Sequence, residues 1–322
     1  MLIYTYSYMD GLINALRAAA EPNRLRLLAL CAQADLSVSE LTQILGQSQP
    51  SVSRHLKLLC DAGLLSRSRE GLWAFYRLAN GGNGGRMGEL AQWLVDLIPD
   101  DDPGKARDLA RLNQTTKERS TLAQDYFRAN ATGWDEIRRL YVDEAAVEAR
   151  LLELVPGPIQ EHLDLGTGTG RILELFGERC AHGLGIDLSP EMLAIARDKL
   201  GRSPKARSLS VRQGDIANLA LKEHAFDLVT LHQVLHYFDD PRAVIREAAR
   251  MLAKGGQLIV VDFAPHQLEF LRQQHAHRRL GFSDAELSSW LKDAGLYLQT
   301  PVALAGNPLT VMIWPAAAEV AA

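Results

Sequence analysis

Residues 162–171 read HLDLGTGTGR, and this stretch decides the fold. Ile159 to Leu165 is short enough for a buried strand, and Arg171 to Phe176 begins a helical pattern. Gly166, Gly168 and Gly170 therefore sit on a strand-to-helix turn. Glycine is needed where a backbone turns tightly and lets a ligand approach main-chain atoms. Asp187 lies 17 residues beyond Gly170 and closes a second short strand, Gly183 to Ile186. In a βαβ nucleotide site that position supplies a carboxylate for ribose hydroxyls. The spacing G-x-G-x-G differs from the G-x-G-x-x-G of a pyrophosphate-binding dinucleotide fold.

Composition sets the outer bounds. A chain of 322 residues accommodates about two domains, each able to bury its own core. The net charge of −4 and pI near 6.2 do not announce a nucleic-acid binder, although averages hide local patches. Cys31, Cys60 and Cys180 are too few and too scattered for a disulfide framework, so a cytoplasmic location is expected. The opening MLIYTYSY lacks the basic flank and long apolar core of a signal peptide, and no apolar run approaches the ~20 residues of a membrane span. No membrane partner is expected.

Beyond the glycine turn, strands are expected near 159–165, 183–187, 208–213, 226–231 and 257–262, with helices between them. Segments 297–304 and 310–314 supply two final strands, consistent with an antiparallel hairpin at the sheet edge. Ser283 with Glu286 forms a capping box. A strand order that reverses around the first strand would place the pocket at the carboxyl edge.

The glycine block, with Asp187 and Gly214-Asp215-Ile216, resembles class I S-adenosylmethionine (SAM)-dependent methyltransferases. The resemblance implies that Asp164, Gly166, Thr167, Gly168 and Gly170 line the methionine and adenosine side of SAM or S-adenosylhomocysteine (SAH). It further implies that Asp187, with Leu188, holds the ribose and that Asp215, with Ile216, sits by the adenine. His232, at the end of the fourth strand, completes the implied pocket.

The N-terminal part reads differently. Residues 10–31 show helical spacing broken at Pro22, and Ser37 to Leu45 is a short helix ended by Gly46. Ser48 can cap a helix running to about Ala62, with Pro50 in its first turn. Leu64 to Arg69 and Leu72 to Leu78 read as strands joined at Glu70-Gly71. Over 48–77, five basic side chains face two acidic ones, a net +3, while 1–100 as a whole sums to zero. Positive charge is thus gathered where phosphates would lie on a winged helix-turn-helix.

The run SVSELTQILGQSQPSVSRHLKLLCDAGLLSRSREGLWAFYRL resembles the arsenic-repressor (ArsR/SmtB) family of bacterial regulators. The resemblance implies a double-stranded DNA operator as partner and a reading face of Gln49, Ser51, Arg54, His55 and Lys57, with Arg67 and Arg69 on the wing. Use of the same fold for protein interaction stays open. The family's metal sensors carry thiolates where Ser37 and Ser39 stand here; hydroxyls do not bind soft metals, so no metal is expected.

The 86–98 stripe of Met87, Leu90, Leu94 and Ile98 follows a Gly-rich hinge, Gly81–Gly85. The family implies that this helix contributes to a homodimer; packing on its own domain is equally open. Together these readings give an α/β Rossmann-like methyltransferase domain with a seven-stranded sheet, preceded by an α+β winged helix-turn-helix domain. The expected bounds are 1–98 for the winged helix and its terminal helix, 99–125 for a linker and polar helix, and 126–322 for the methyltransferase-like domain. Tyr126, Phe127 and Trp134 either cap the ligand or pack on the outer sheet face.

Methyl transfer from a sulfonium is an in-line displacement, and a base is required when the nucleophile arrives protonated. The strand ends offer His232, Gln233, His236, Tyr237, Asp262 and His266, of which His236, Tyr237 and His266 are the candidate catalytic groups; each may equally be structural. The N-P-P-[FY] signature of amine methyltransferases is absent. In 265–282 the histidine spacing is poor for a metal, and a basic amphipathic lid with Arg272, Arg278 and Arg279 is expected. Two functions stay open: a transcription regulator that senses SAM or SAH, and an active small-molecule methyltransferase tethered to a DNA-binding domain.

Overall fold

The structure, a computed structural model, describes residues 2–70, 73–79, 85–134, 143–202 and 208–318. The chain divides into two compact units, Met1–Ser120 and Thr121–Ala322.

The first unit opens with α1 (Leu2–Ala19) and α2 (Pro22–Gln33), separated at the expected break. α1 starts well before Asp10, where the apolar spacing first becomes legible. Glu21 caps α2 by accepting from the Arg24 N–H. The two-residue strand β1 (Leu36–Ser37) leads into α3 (Val38–Leu45), which begins with a capping box between Ser37 and Glu40. α3 ends at Gly46 in the left-handed conformation, φ 66°. α4 (Gln49–Asp61) follows with Pro50 in its first turn, but the Ser48 side chain makes no cap hydrogen bond, in contrast to the expectation. β2 (Leu65–Glu70) and β3 (Trp73–Leu78) pair antiparallel from Leu65 opposite Leu78 to Glu70 opposite Trp73, and β1 joins β3 to complete the sheet. The tip of the wing at 71–72 and hinge residues 81–84 lie outside the described residues.

α5 (Gly85–Asp96) packs on its own unit. Gly88, Ala91 and Val95 are buried, and Met87, Leu90, Leu94 and Ile98 pack partly against the unit's own leucine core. Trp93 and Leu97 are the exposed apolar residues, at 72% and 78%. α6 (Pro103–Asn130) extends past the expected end near Gln124 and carries Tyr126 and Phe127 on its last turns. Within the first unit, Asp108 of α6 receives two hydrogen bonds from the Arg26 guanidinium at 2.6 and 2.7 Å, and Arg111 donates to the Ile44 carbonyl at 2.8 Å.

The second unit contains α7 (Glu144–Leu154) and the alternating series β4 (Ile159–Leu165), α8 (Arg171–Phe176), β5 (Cys180–Asp187), α9 (Pro190–Gly201), β6 (Leu209–Gln213), β7 (Phe226–His232), α10 (Pro241–Met251) and β8 (Leu252–Phe263). After α11 (Phe270–Gln274) and α12 (Asp284–Asp293), the chain closes with β9 (Leu296–Leu298), β10 (Val302–Ala305) and β11 (Thr310–Ala318). The strand order is β10-β11-β8-β7-β4-β5-β6, a path of seven strands with β9 as a short addition on β11. β4, β5, β6, β7 and β8 are parallel, and β11 runs antiparallel to β8. The expected strand 297–304 is divided: Leu296–Leu298 pairs with one end of β11 and Val302–Ala305 with the other. Gln299, Thr300 and Pro301 fall between, and proline cannot donate to a ladder.

The order reverses at β4, whose neighbours are β5 and β7. In such sheets the crevice beyond the carboxyl ends of the strands at the reversal is where ligands bind.

Candidate functional site

In the first unit, the outer face of α4 presents Gln49, Arg54 and Lys57 to solvent, with Ser51 half-buried. His55 is also half-buried, with its Nδ1 3.7 Å from the Glu21 carboxylate at the start of α2. On β2, Arg67 is exposed and its guanidinium lies 6.0 Å from the Tyr76 ring centroid; the Arg69 side chain lies outside the described residues. Exposed cations are thus carried by both the second helix of the motif and the first strand of the wing.

In the second unit, the three loop glycines all have positive φ, 73°, 53° and 81° at Gly166, Gly168 and Gly170. Each serves a different need. A Cβ on Gly166 would overlap Val234, in the loop after β7. A Cβ on Gly170 would press on Ala196 of α9 at 3.3 Å. A Cβ on Gly168 would meet only Trp134 Nε1, at 3.7 Å, an ordinary contact. The loop is pinned from below, because the Gly166 and Thr167 N–H groups both donate to the Ile186 carbonyl. The Gly168 N–H donates to Asp187 Oδ2 at 2.8 Å, and Ser189 N–H donates to Oδ1 at 2.9 Å. Burial raises the Asp187 pKa, partly opposed by these N–H donors. Gly214 N–H donates to the Asp187 carbonyl and brings Asp215 and Ile216 alongside, with Leu188 exposed at 42% next to them.

Asp164 is buried, 1% exposed, and accepts from Thr230 Oγ1 at 2.7 Å. Thr230 has one hydroxyl proton, so His162 Nε2, 2.9 Å away, is the donor to Thr230. Burial pushes His162 down to about 3 and keeps it neutral. His232 is buried at the end of β7.

Aromatic residues close the upper side. Phe127 packs edge-on against Tyr237 at 4.8 Å and against Trp134 at 5.3 Å. The Tyr126 hydroxyl is 2.8 Å from His275 Nδ1, and Arg128 donates to Glu191 in the first turn of α9. Of these, Trp134 reaches the glycine loop, its Nε1 3.7 Å from where a Gly168 Cβ would stand.

Of the three catalytic candidates, His236 stands apart. Its Nδ1 lies 2.8 Å from Asp262 Oδ1, and the two side chains are 2% and 0% exposed. The His236 N–H donates to Asp262 Oδ2 and the Phe263 N–H to Oδ1. The Nδ1 proton therefore faces the carboxylate. Tyr237 has its hydroxyl pKa raised well above the ordinary value by burial, so it stays protonated. Burial, and then His236, push His266 down to about 4. The His236–Asp262 pair was not legible in the sequence, because the two residues come from different loops and no spacing rule links them.

The 265–282 segment corrects the expectation of a basic lid. Arg278 binds Asp239 at 2.6 Å, Arg279 is buried beside Glu286 and the Phe282 ring, and Arg272 pairs with Glu269 and donates to the Arg278 carbonyl. His277 stacks on His236 with ring centroids 4.0 Å apart. The segment's cations are spent inside the unit. Among the described residues no three histidine, cysteine, aspartate or glutamate side chains are grouped to hold a metal, and no helix is long and apolar enough to cross a membrane.

Comparison with known proteins matches this division. Residues 163–260 match the family described as "Methyltransferase domain", and residues 21–67 match "Bacterial regulatory protein, arsR family". A ubiquinone biosynthesis O-methyltransferase of Pseudomonas paraeruginosa is 32% identical over 163 residues, covering 46% of this chain and 69% of that protein. A demethylmenaquinone methyltransferase of Thermus thermophilus is 41% identical over 107 residues; the match covers 32% of this chain and spans 47% of the relative. The crystal structure of magnesium protoporphyrin IX methyltransferase from Synechocystis PCC 6803 superimposes with a TM-score of 0.50 at 22% identity, over 62% of this chain and all of that one, and shares the fold.

The buried histidines give the site a pH signature. His162 and His266 reject in the folded state a proton that they accept near pH 6.5 when unfolded. Stability is therefore full above pH 6.5 and falls as pH drops from there toward 4. Urea unfolding across this window should show the loss, and His162→Gln should reduce it. An identical pH dependence in the variant would contradict the assignment of a neutral His162.

Proposed function

Because the chain belongs to the methyltransferase-domain family and carries an arsR-family segment ahead of it, we propose that it is a DNA-binding transcription regulator whose second unit couples SAM or SAH occupancy to operator binding. SAM or SAH is the cofactor. The left-handed glycine loop and the Asp187 carboxylate fit it. In this reading Asp187 takes the ribose hydroxyls, Leu188, Asp215 and Ile216 take the adenine end, and Gly166, Thr167, Gly168 and Gly170 take the methionine side, with Asp164 bracing the strand beneath. The operator is read by Gln49, Ser51, Arg54, His55 and Lys57 on α4 with Arg67 and Arg69 on the wing. The regulated genes belong to the methionine and SAM cycle, since the signal is that cycle's methyl donor or its product.

The observation that carries the coupling is α6. This one helix is fastened in the first unit by Arg26–Asp108 and by Arg111 on the Ile44 carbonyl, just before the turn of the helix-turn-helix. In the second unit its last turns supply Tyr126 and Phe127 to the aromatic cover. A ligand shifts DNA affinity only as far as it prefers one of two arrangements, and the usual coupling is ~1–3 kcal/mol. SAH should therefore change operator affinity roughly 5–150-fold. Fluorescence anisotropy of a labelled duplex, selected by the protein from random sequence, measures this. Asp187→Ala and Gly168→Val should abolish the response and leave ligand-free DNA binding near normal. Wild-type curves that coincide with and without saturating SAH would overturn the regulator reading.

The regulator acts as a homodimer in this proposal. Met9, Leu12, Ile13 and Leu16 form an exposed apolar stripe on α1, and Trp93 on α5 and Leu97 just after it are exposed. Such surfaces mark protein contacts, and a second copy of the chain satisfies them. Leu97→Asp combined with Leu16→Asp should give monomers by light scattering, whereas Leu94→Asp should instead destabilise the fold. An unchanged mass in the double variant would contradict this interface.

A further inference from the structure

We propose that the first unit holds a ligand site of its own: a cavity between α2 and the start of α6 that takes a neutral, largely apolar small molecule and passes its occupancy to the turn of the helix-turn-helix. The site is independent of SAM or SAH binding, and only its effect on DNA rests on the first unit reading an operator.

The cavity has a volume of about 300 Å³. Small-molecule sites run upward from about that size and are lined mostly by apolar side chains. Leu25, Ala29 and Leu30 of α2 line this one, together with Pro22, Ile98 and Leu109. Its charged lining is Arg26, Asp102, Lys105 and Asp108, two cations and two carboxylates, so it carries no net charge. Each of the four is already engaged. Arg26 donates to both Asp108 oxygens at 2.6 and 2.7 Å, Lys105 Nζ donates to Asp100 at 2.9 Å, and Asp102 accepts from the Lys105 backbone N–H at 2.7 Å. An ion entering here would give up water and would have to break an existing pair to gain a partner. An uncharged apolar molecule meets no such cost, and that sets the ligand class.

The ion pair in the cavity wall gives the site an output. Asp108, 2% exposed, holds Arg26 from α6. The same guanidinium donates through Nη1 to Asn23 Oδ1 at 3.2 Å. Gln47, in the turn between α3 and α4, donates to that same oxygen through Nε2. Asn23 Nδ2 in turn donates to the Glu21 carboxylate at 2.9 Å, which stands 3.7 Å from His55 Nδ1 on α4. An unbroken run of polar contacts therefore leads from the cavity wall to the turn and to the helix that carries the reading face. Coupling passes along such networks when they have two arrangements, and a ligand shifts them only as far as it prefers one. An occupant resting on Arg26 and Asp108 supplies that preference.

The probe is N-phenyl-1-naphthylamine, a neutral apolar dye that brightens on leaving water, added to the full-length protein in saturating SAH. Wild type should bind it saturably. Ala29→Phe, which places a ring in the cavity, should weaken binding by about tenfold or more with circular dichroism unchanged. Should that variant not fold, Ala29→Leu takes its place and should show a smaller loss. The sulfonated dye 1-anilinonaphthalene-8-sulfonate, with the same rings and a charge, should bind about tenfold more weakly than the neutral one. Saturating neutral dye should change the affinity of the selected duplex by about fivefold or more, and Asn23→Ala should remove that change while dye binding persists. Wild type that binds no dye, or a folded Ala29 variant that binds it as tightly, would overturn the site. Dye binding confined to the monomeric Leu16→Asp, Leu97→Asp variant would show that a second copy covers the cavity, and would overturn it too. Bound dye that leaves duplex affinity unchanged would overturn the effector role, and a change that survives Asn23→Ala would overturn the route. Protein that binds no duplex at all would instead overturn the regulator reading, with the cavity still judged by the dye.

Discussion

The hydrogen bond from the Gly168 N–H to the Asp187 carboxylate, 2.8 Å long, ties the turn after β4 to the end of β5. It forms only because the chain between them can hold a left-handed conformation at Gly166, Gly168 and Gly170. With the turn pinned on Ile186 and Asp187, three further elements find their places. The loop after β7 closes against Gly166, α9 packs on Gly170, and the indole of Trp134 lies over Gly168. The pocket is a consequence of where the strand order reverses and of how little side chain stands at that point.

Much of this was legible in the sequence because it depends on local rules. β4 and β7 are short segments bounded by turn residues, and they form within a residue of the expected bounds. The Ser283–Glu286 capping box is present. The failures also have local causes. Ser48 stands at an N-cap but does not bond, because a side chain's capping partner depends on a rotamer that spacing does not set. A polar helix offers no apolar stripe to mark its end, so α6 runs on to Asn130. Pro301 divides what reads as one strand.

The site was only half legible. Glycines and acids at strand ends carry a pattern, whereas the His236–Asp262 pair and the stacking of His277 exist only once β7, β8 and the 264–282 segment are brought together. The arginines of that segment show the converse. Their number suggested a charged surface, but Arg278 and Arg279 pair with Asp239 and Glu286 outside the segment and Arg272 with Glu269 within it. Charge counts describe a surface only when partners from elsewhere in the chain are known.

A pocket for SAM or SAH and a DNA reader on one chain amount to a regulator only if the two equilibria are linked, and linkage is reciprocal. The most direct measurement is calorimetric titration of SAH into the wild-type protein, free and then saturated with its selected duplex. The account predicts that the duplex changes the SAH dissociation constant by the same factor, roughly 5–150, by which SAH changes DNA affinity. One SAH dissociation constant in both titrations, with DNA occupancy verified, would contradict it.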